Sequence, residues 1–133
     1  MRTILSTLGA AIALITVPLL AHHSFEAEFD RTKQVTLTGT ITKFEWMNPH
    51  IWIYMDVKTA DGKIVKYQFE GGAPNMLKRN GWSRTSLKEG DTATINGALS
   101  KDGTNTVNAT SVTLADGTRV LAGSSDTKRS RKR

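Results

Sequence analysis

From Ile51 to Val57 the chain alternates without interruption: Ile51, Ile53, Met55 and Val57 hold one parity, while Trp52, Tyr54 and Asp56 hold the other. A period of two sends successive side chains to opposite faces of a strand, so this segment buries one face and presents two aromatic rings on the other. The same logic reaches upstream, where Val35, Leu37, Gly39 and Ile41 alternate with threonines Thr36 to Thr42. Phe44 and Trp46 then fall on the opposite parity, and a bulge near Thr42-Lys43, or strong coiling at Gly39, is required to reconcile the two halves.

Further strands follow from the turn chemistry. Asp61-Gly62 forms a hairpin turn into Ile64 to Glu70, where Val65, Tyr67 and Phe69 make the apolar face. Pro74 to Asn80 reads as a helix, with proline early, Met76 and Leu77 facing inward and Gly81 ending it, while Trp82 and Leu87 pack beside it. Lys88-Glu89-Gly90-Asp91 turns the chain into a strand at Thr92 to Leu99. Asp102-Gly103 precedes another at Val107 to Leu114, and Asp116-Gly117 turns to an edge strand at Thr118 to Leu121. Three strands, a short helix and two strands indicate an all-β fold with one short helix, a five- to six-stranded OB-like Greek-key barrel, with a β-sandwich as the competing architecture.

Both ends of the chain differ in kind from this body. After Arg2 no charge occurs before Glu26, and Ile4 to Ala21 is mostly aliphatic, the order of a basic and then an apolar region that directs export. Pro18 breaks the run and Leu19-Leu20-Ala21 supplies a small residue for cleavage, so residues 1–21 are expected to be a signal peptide with His22 as the mature N-terminus. An uncleaved anchor is the alternative, since roughly 20 apolar residues cross a bilayer. The expected location is periplasmic or secreted. Residues 22–123 make one domain opening with a charged leader, His22 to Lys33, and 124–133 a disordered basic tail.

The lack of cysteine excludes disulfides, thiolate metal sites and a cysteine nucleophile. Lys128 to Arg133 carries five cations, and outside that run and Arg2 the chain balances twelve basic against twelve acidic residues. The tail is therefore a contact for anionic surfaces, and a neutral body disfavours nucleic acid as a partner.

The three histidines carry the most chemistry. A free N-terminal His22 can chelate through its α-amino and ring nitrogens, and His50, in the Asn48-Pro49-His50 link, can complete a three-nitrogen set with His23 as a spare. Such tetragonal nitrogen ligation suits Cu(II), with zinc as second choice. Met47, Met55 or Met76 could add a thioether, although Met55 falls on the apolar face. The bland alternatives are a solvated His-His leader and a turn histidine. No glycine pattern of a nucleophile elbow surrounds any serine. Glu45, Asp56 and Glu70 read as ordinary strand-edge carboxylates, and Gly71-Gly72 as a bend. The aromatic group Phe44, Trp46, Trp52, Tyr54, Tyr67 and Trp82 offers either a stacking platform or core packing.

His22-His23-Ser24-Phe25, Glu26-Ala27-Glu28-Phe29-Asp30, Asn48-Pro49-His50-Ile51-Trp52, Arg79-Asn80-Gly81-Trp82 and Leu87-Lys88-Glu89-Gly90-Asp91 together resemble a family of small exported bacterial proteins described as a domain of unknown function. The resemblance runs from His22 to about Ala122. It implies an envelope location, a small β-barrel, and a single site comprising His22, His23, His50 and Trp52. The expected function is a non-enzymatic exported binding module with a copper site at those histidines. Its binding residues are Trp46, Asn48, Trp52, Tyr54 and Trp82: Asn48 and Pro49 hold His50, and Trp52 shields the site. The competing expectation is an accessory subunit that docks on a larger envelope enzyme through its aromatic face.

Overall fold

A single long strand organises the sheet by serving two partners in succession. The computed structural model describes residues 25–123, so the expected signal peptide 1–21, His22, His23 and the tail 124–133 lie outside the described residues. Within them, α1 (Phe25–Glu28) leads directly into β1 (Phe29–Glu45), followed by β2 (Trp52–Lys58), β3 (Ile64–Glu70), α2 (Pro74–Lys78), β4 (Thr92–Ser100), β5 (Thr106–Leu114) and β6 (Arg119–Leu121). β1 pairs antiparallel with β4 from Phe29↔Ser100 to Thr40↔Thr92, then with β2 from Thr40↔Asp56 to Glu45↔Trp52. The register shifts between Ile41 and Lys43, at the bulge that the parity slip requires. The extra residue lets both Ile41 and Phe44 turn toward the core.

The strand order is β3-β2-β1-β4-β5-β6, and β3 also pairs with β5 in parallel, Gln68↔Thr106 to Glu70↔Asn108. The protein is thus a mostly antiparallel six-stranded sheet with only short helices, in which pairings run in a circuit from β1 through β2, β3, β5 and β4 back to β1. Ile41, Ile51, Ile53, Met55, Phe69, Leu77, Ile95, Val107 and Val112 are its fully buried large apolar side chains, each stabilising the fold by about 1.5–3 kcal/mol relative to exposure. β2 contributes its Ile53, Met55 and Val57 parity, as the alternation demands. Among the described residues no helix is long and apolar enough to cross a membrane.

α2 begins at Pro74, whose missing N–H falls where a helix leaves its donors unpaired, and it drives Leu77 into the core. Its end is closed by Gly81, at φ 88°, and by Trp82 N–H donating to the Leu77 carbonyl over 3.1 Å. Gly71-Gly72 is more than a bend. Gly72 N–H donates to the Ala122 carbonyl at 2.8 Å, Ala122 N–H donates to the Thr110 carbonyl at 3.0 Å, and a Cβ on Gly71 would lie 2.5 Å from Ile51 Cγ1. The chain after β6 therefore bridges β5 to the start of α2 through a gap that only glycine leaves open.

One expectation needs correction. His22 to Lys33 is not a plain leader, because the described part of it folds into a second short helix, α1, and the first residues of β1. Charged side chains at Asp30, Arg31 and Lys33 hide this strand from a pattern search. Backbone pairing to β4 builds it, since ladder hydrogen bonds are indifferent to side-chain polarity.

Candidate functional site

The outer face of the sheet is set by register. Glu45, Trp52, Glu70, Asn108 and Ala98 are successive cross-strand neighbours on β1, β2, β3, β5 and β4, and Lys43, Tyr54, Gln68 and Thr106 form the adjacent row. Residues in one cross-strand row share a face, so Trp52 and Tyr54 stand beside carboxylates and amides on the side away from the core. Trp52 and Tyr54 are both half-buried.

A cleft of about 590 Å³ opens over this face, lined by Ala27, Glu28 and Phe29 from the leader, Trp52, Gln68 and Glu70 from β2 and β3, and Ser100, Lys101, Asp102 and Thr106 around the β4–β5 connection. The leader is held in place as one wall. Lys101 N–H donates to the Glu28 carbonyl at 2.8 Å, Lys101 Nζ donates to the Glu26 carbonyl, and Phe25 stacks on Phe29 at 5.6 Å with the Arg31 guanidinium 4.4 Å above its ring. A smaller recess of about 250 Å³ continues along Tyr54, Lys66, Gln68 and Thr106, where Gln68 Nε2 donates to Thr106 Oγ1 at 2.8 Å.

His50 sits at the end of the β1–β2 connection, half-buried, after the cis Asn48-Pro49 peptide. Its Nδ1 is 2.9 Å from the Gly71 carbonyl oxygen and 3.3 Å from Glu70 Oε1. A carbonyl can only accept, so Nδ1 carries the proton and, in the neutral ring, Nε2 holds the lone pair. An imidazole fixed through Nδ1–H to a carbonyl or carboxylate is the arrangement that orients a metal-ligating histidine. Burial pushes the Glu70 carboxyl above its ordinary value; His50 draws it back and Glu28 adds to the rise. Tyr54 is likewise raised, first by burial and then by donating its hydroxyl to Glu45 Oε2 at 3.1 Å, while Lys43 pairs with the same carboxylate and holds it below its usual range.

The expected site residues divide by location. His50, Trp52 and Tyr54 come to the outer face together with Glu70. Trp82 goes to the core, 3% exposed and 6.1 Å from Phe44, whose ring meets half-buried Trp46 edge-on at 6.1 Å, so Trp46 and Trp82 form an aromatic run along the core rather than beside Trp52. Asn48 and Met47 are exposed, Met55 is buried in the core, and Met76 packs against it. His22 and His23 lie outside the described residues, and among the described residues no three His, Asp or Glu side chains converge as a metal-holding group.

Sequence reasoning passed over Glu70, Gln68 and Thr106. A signal for Glu70 existed: extending the Asp61-Gly62 hairpin residue by residue sets Glu70 opposite Trp52. Thr106 had none, because its place depends on the parallel pairing of β3 with β5, far apart in sequence. No curated protein and no solved structure matches the chain. A family model matches residues 11–109, a span that takes in the histidine-bearing leader, the His50 link, Trp52 and Glu70, and the chain therefore belongs to the family of unknown function DUF6152.

Proposed function

We propose that this is an exported binding module built on an OB-type barrel, acting in the periplasm or after secretion, and that it binds copper, with zinc as second choice, through the mature N-terminal His22 and His50, His23 being a spare ligand. The observation that carries the reading is the fixed His50 ring: Nδ1–H is committed to Gly71 O at 2.9 Å beside Glu70, which leaves Nε2 as the donor atom. The position of the leader supports the second half of the site: Ala27 and Glu28 of α1 line the same cleft as Glu70, which puts the chain leading back to His22 on the face that carries Glu70. The circuit of pairings, with the short helix between the third and fourth strands, supports the barrel. Catalysis is not part of this reading.

The test is to express the protein with its own leader, verify His22 as N-terminus by mass, and titrate Cu(II) while recording electron paramagnetic resonance spectra. One-to-one binding with nitrogen hyperfine structure, lost in His50→Ala, is the expected result. Binding indifferent to both His50 and the N-terminus would discard the copper site.

A second reading is an accessory subunit docked on a larger envelope enzyme. The half-buried Trp52 and Tyr54 on the outer face favour it, while the basic tail adds contact with anionic surfaces and the neutral body disfavours nucleic acid. Recovery of a metal-independent partner that is lost in Trp52→Ala selects this reading over the first.

A further inference from the structure

The cleft between the leader and β2–β3 has a chemistry of its own, separate from the proposed copper ligands. Its volume of about 590 Å³ lies within the range of small-ligand sites. Its most prominent apolar surface is the half-buried ring of Trp52, and directly across the ladder from that ring stands the carboxylate of Glu70, whose side chain is only 13% exposed. On the far side of Glu70 in the same row, behind the cleft lining, lies Asn108, which is 5% exposed and whose Oδ1 is a buried side-chain acceptor without a donor among the described residues. Asp102 adds a further carboxylate at the rim.

Two donors of the cleft wall are engaged. Lys101 Nζ is given to the Glu26 carbonyl, and Gln68 Nε2 to Thr106 Oγ1. The lining sets three carboxylates, Glu28, Glu70 and Asp102, against the one ammonium of Lys101, so negative charge is in excess around the Trp52 ring. An uncharged polyol would satisfy the acceptors and leave the charge uncompensated, and an anion would be repelled. A cation carrying N–H donors meets all three conditions, because its charge is attracted to the ring face and to the carboxylates while its hydrogens serve the acceptors.

We infer that the cleft binds an organic cation, an alkylammonium or guanidinium group lying over Trp52 and hydrogen-bonded to Glu70. Such a group can come from a free polyamine or from a lysine or arginine side chain of a peptide. The site shares Glu70 with the support of His50 but needs no metal, so binding to metal-free protein tests it apart from the copper reading.

The experiment uses the mature full-length protein, freed of metal by chelator, in about 0.15 M salt to suppress loose ion pairing. Spermidine in one arm and a short unstructured Lys-Arg peptide in the other are titrated calorimetrically, with the indole N–H resonance of Trp52 followed by NMR. The expected result is saturable binding of at least one probe with a shift of that resonance, weakened about tenfold in Glu70→Gln and about tenfold in Trp52→Leu, with Trp52→Phe retaining most of the affinity. Glu89→Gln, an exposed carboxylate outside the cleft, should leave binding unchanged. The arm that binds more tightly identifies the source. Heat without a Trp52 shift, equal weakening by Glu89→Gln and Glu70→Gln, or no binding of either probe would overturn the inference. Circular dichroism of each variant separates loss of the site from loss of the fold.

Discussion

Trp52 and Glu70 face each other directly across the β2–β3 ladder, and Glu70 Oε1 in turn lies 3.3 Å from His50 Nδ1. One carboxylate thereby joins the aromatic outer face to the histidine link. Any ligand held over Trp52 and any metal held by His50 would both sense the state of Glu70.

The two tryptophans on either side of the sheet should behave oppositely. Trp82→Ala empties a nearly closed core position and is expected to cost about 3–5 kcal/mol in a urea unfolding experiment. Trp52→Ala removes a ring that is half-exposed on the outer face, and a loss below about 2 kcal/mol is expected. A larger loss for Trp52 than for Trp82 would contradict their assignment to opposite faces.

Gly97 is held against β5 so closely that a Cβ there would lie 2.2 Å from the Asn108 carbonyl oxygen and 2.6 Å from Val107 Cγ1. Both neighbours are buried ladder residues with little freedom to retreat. Gly97→Ala should therefore destabilise the protein by about 3 kcal/mol, read as a drop in urea midpoint at unchanged slope.

His50→Ala removes one hydrogen bond from a part-exposed ring, so the fold should lose only about 1 kcal/mol. Metal retention should be lost at the same time. Glu70→Gln keeps the shape of the partner but weakens its hold on the ring, and Cu(II) affinity should fall by about tenfold, measured by competition with a chelator. Adding a single glycine before His22 should weaken binding sharply, because the amino ligand would then belong to another residue. Copper affinity unaffected by all three changes would leave His50 a turn residue.

Acid should destabilise the protein through its turns. Asp30, Asp61, Asp102 and Asp116 are all held below the ordinary value of 3.8, chiefly by hydrogen bonds from Thr32, Thr59, Thr104 and Thr118 respectively. A lowered folded value means that the unfolded chain takes up the proton first. Their contribution is thus present above pH 3.8 and is lost as the pH falls through the lowered folded values. Asp102 Oδ1 accepts from Thr104 N–H at 2.9 Å, Thr104 Oγ1 at 2.7 Å and Ser100 Oγ at 2.7 Å, so Asp102→Asn should flatten the acid limb of a plot of Tm against pH and leave its neutral part nearly level. An unchanged acid limb would remove Asp102 from this account.

What the chain determines by itself is local. The alternation from Ile51 to Val57 decides which side chains β2 buries, the parity slip at Thr42-Lys43 locates the bulge, and Pro74 and Gly81 bracket α2. Period and turn chemistry act over a few residues, so they can be read directly. The tertiary structure alone decides that β3 meets β5, that the charged leader becomes the start of β1, that Trp82 joins Phe44 in the core, and that Glu70 contacts His50. Each of these depends on pairing between segments distant in sequence. The backbone groups that make those pairs are the same in every residue, so only the closing of the sheet selects which side chains become neighbours.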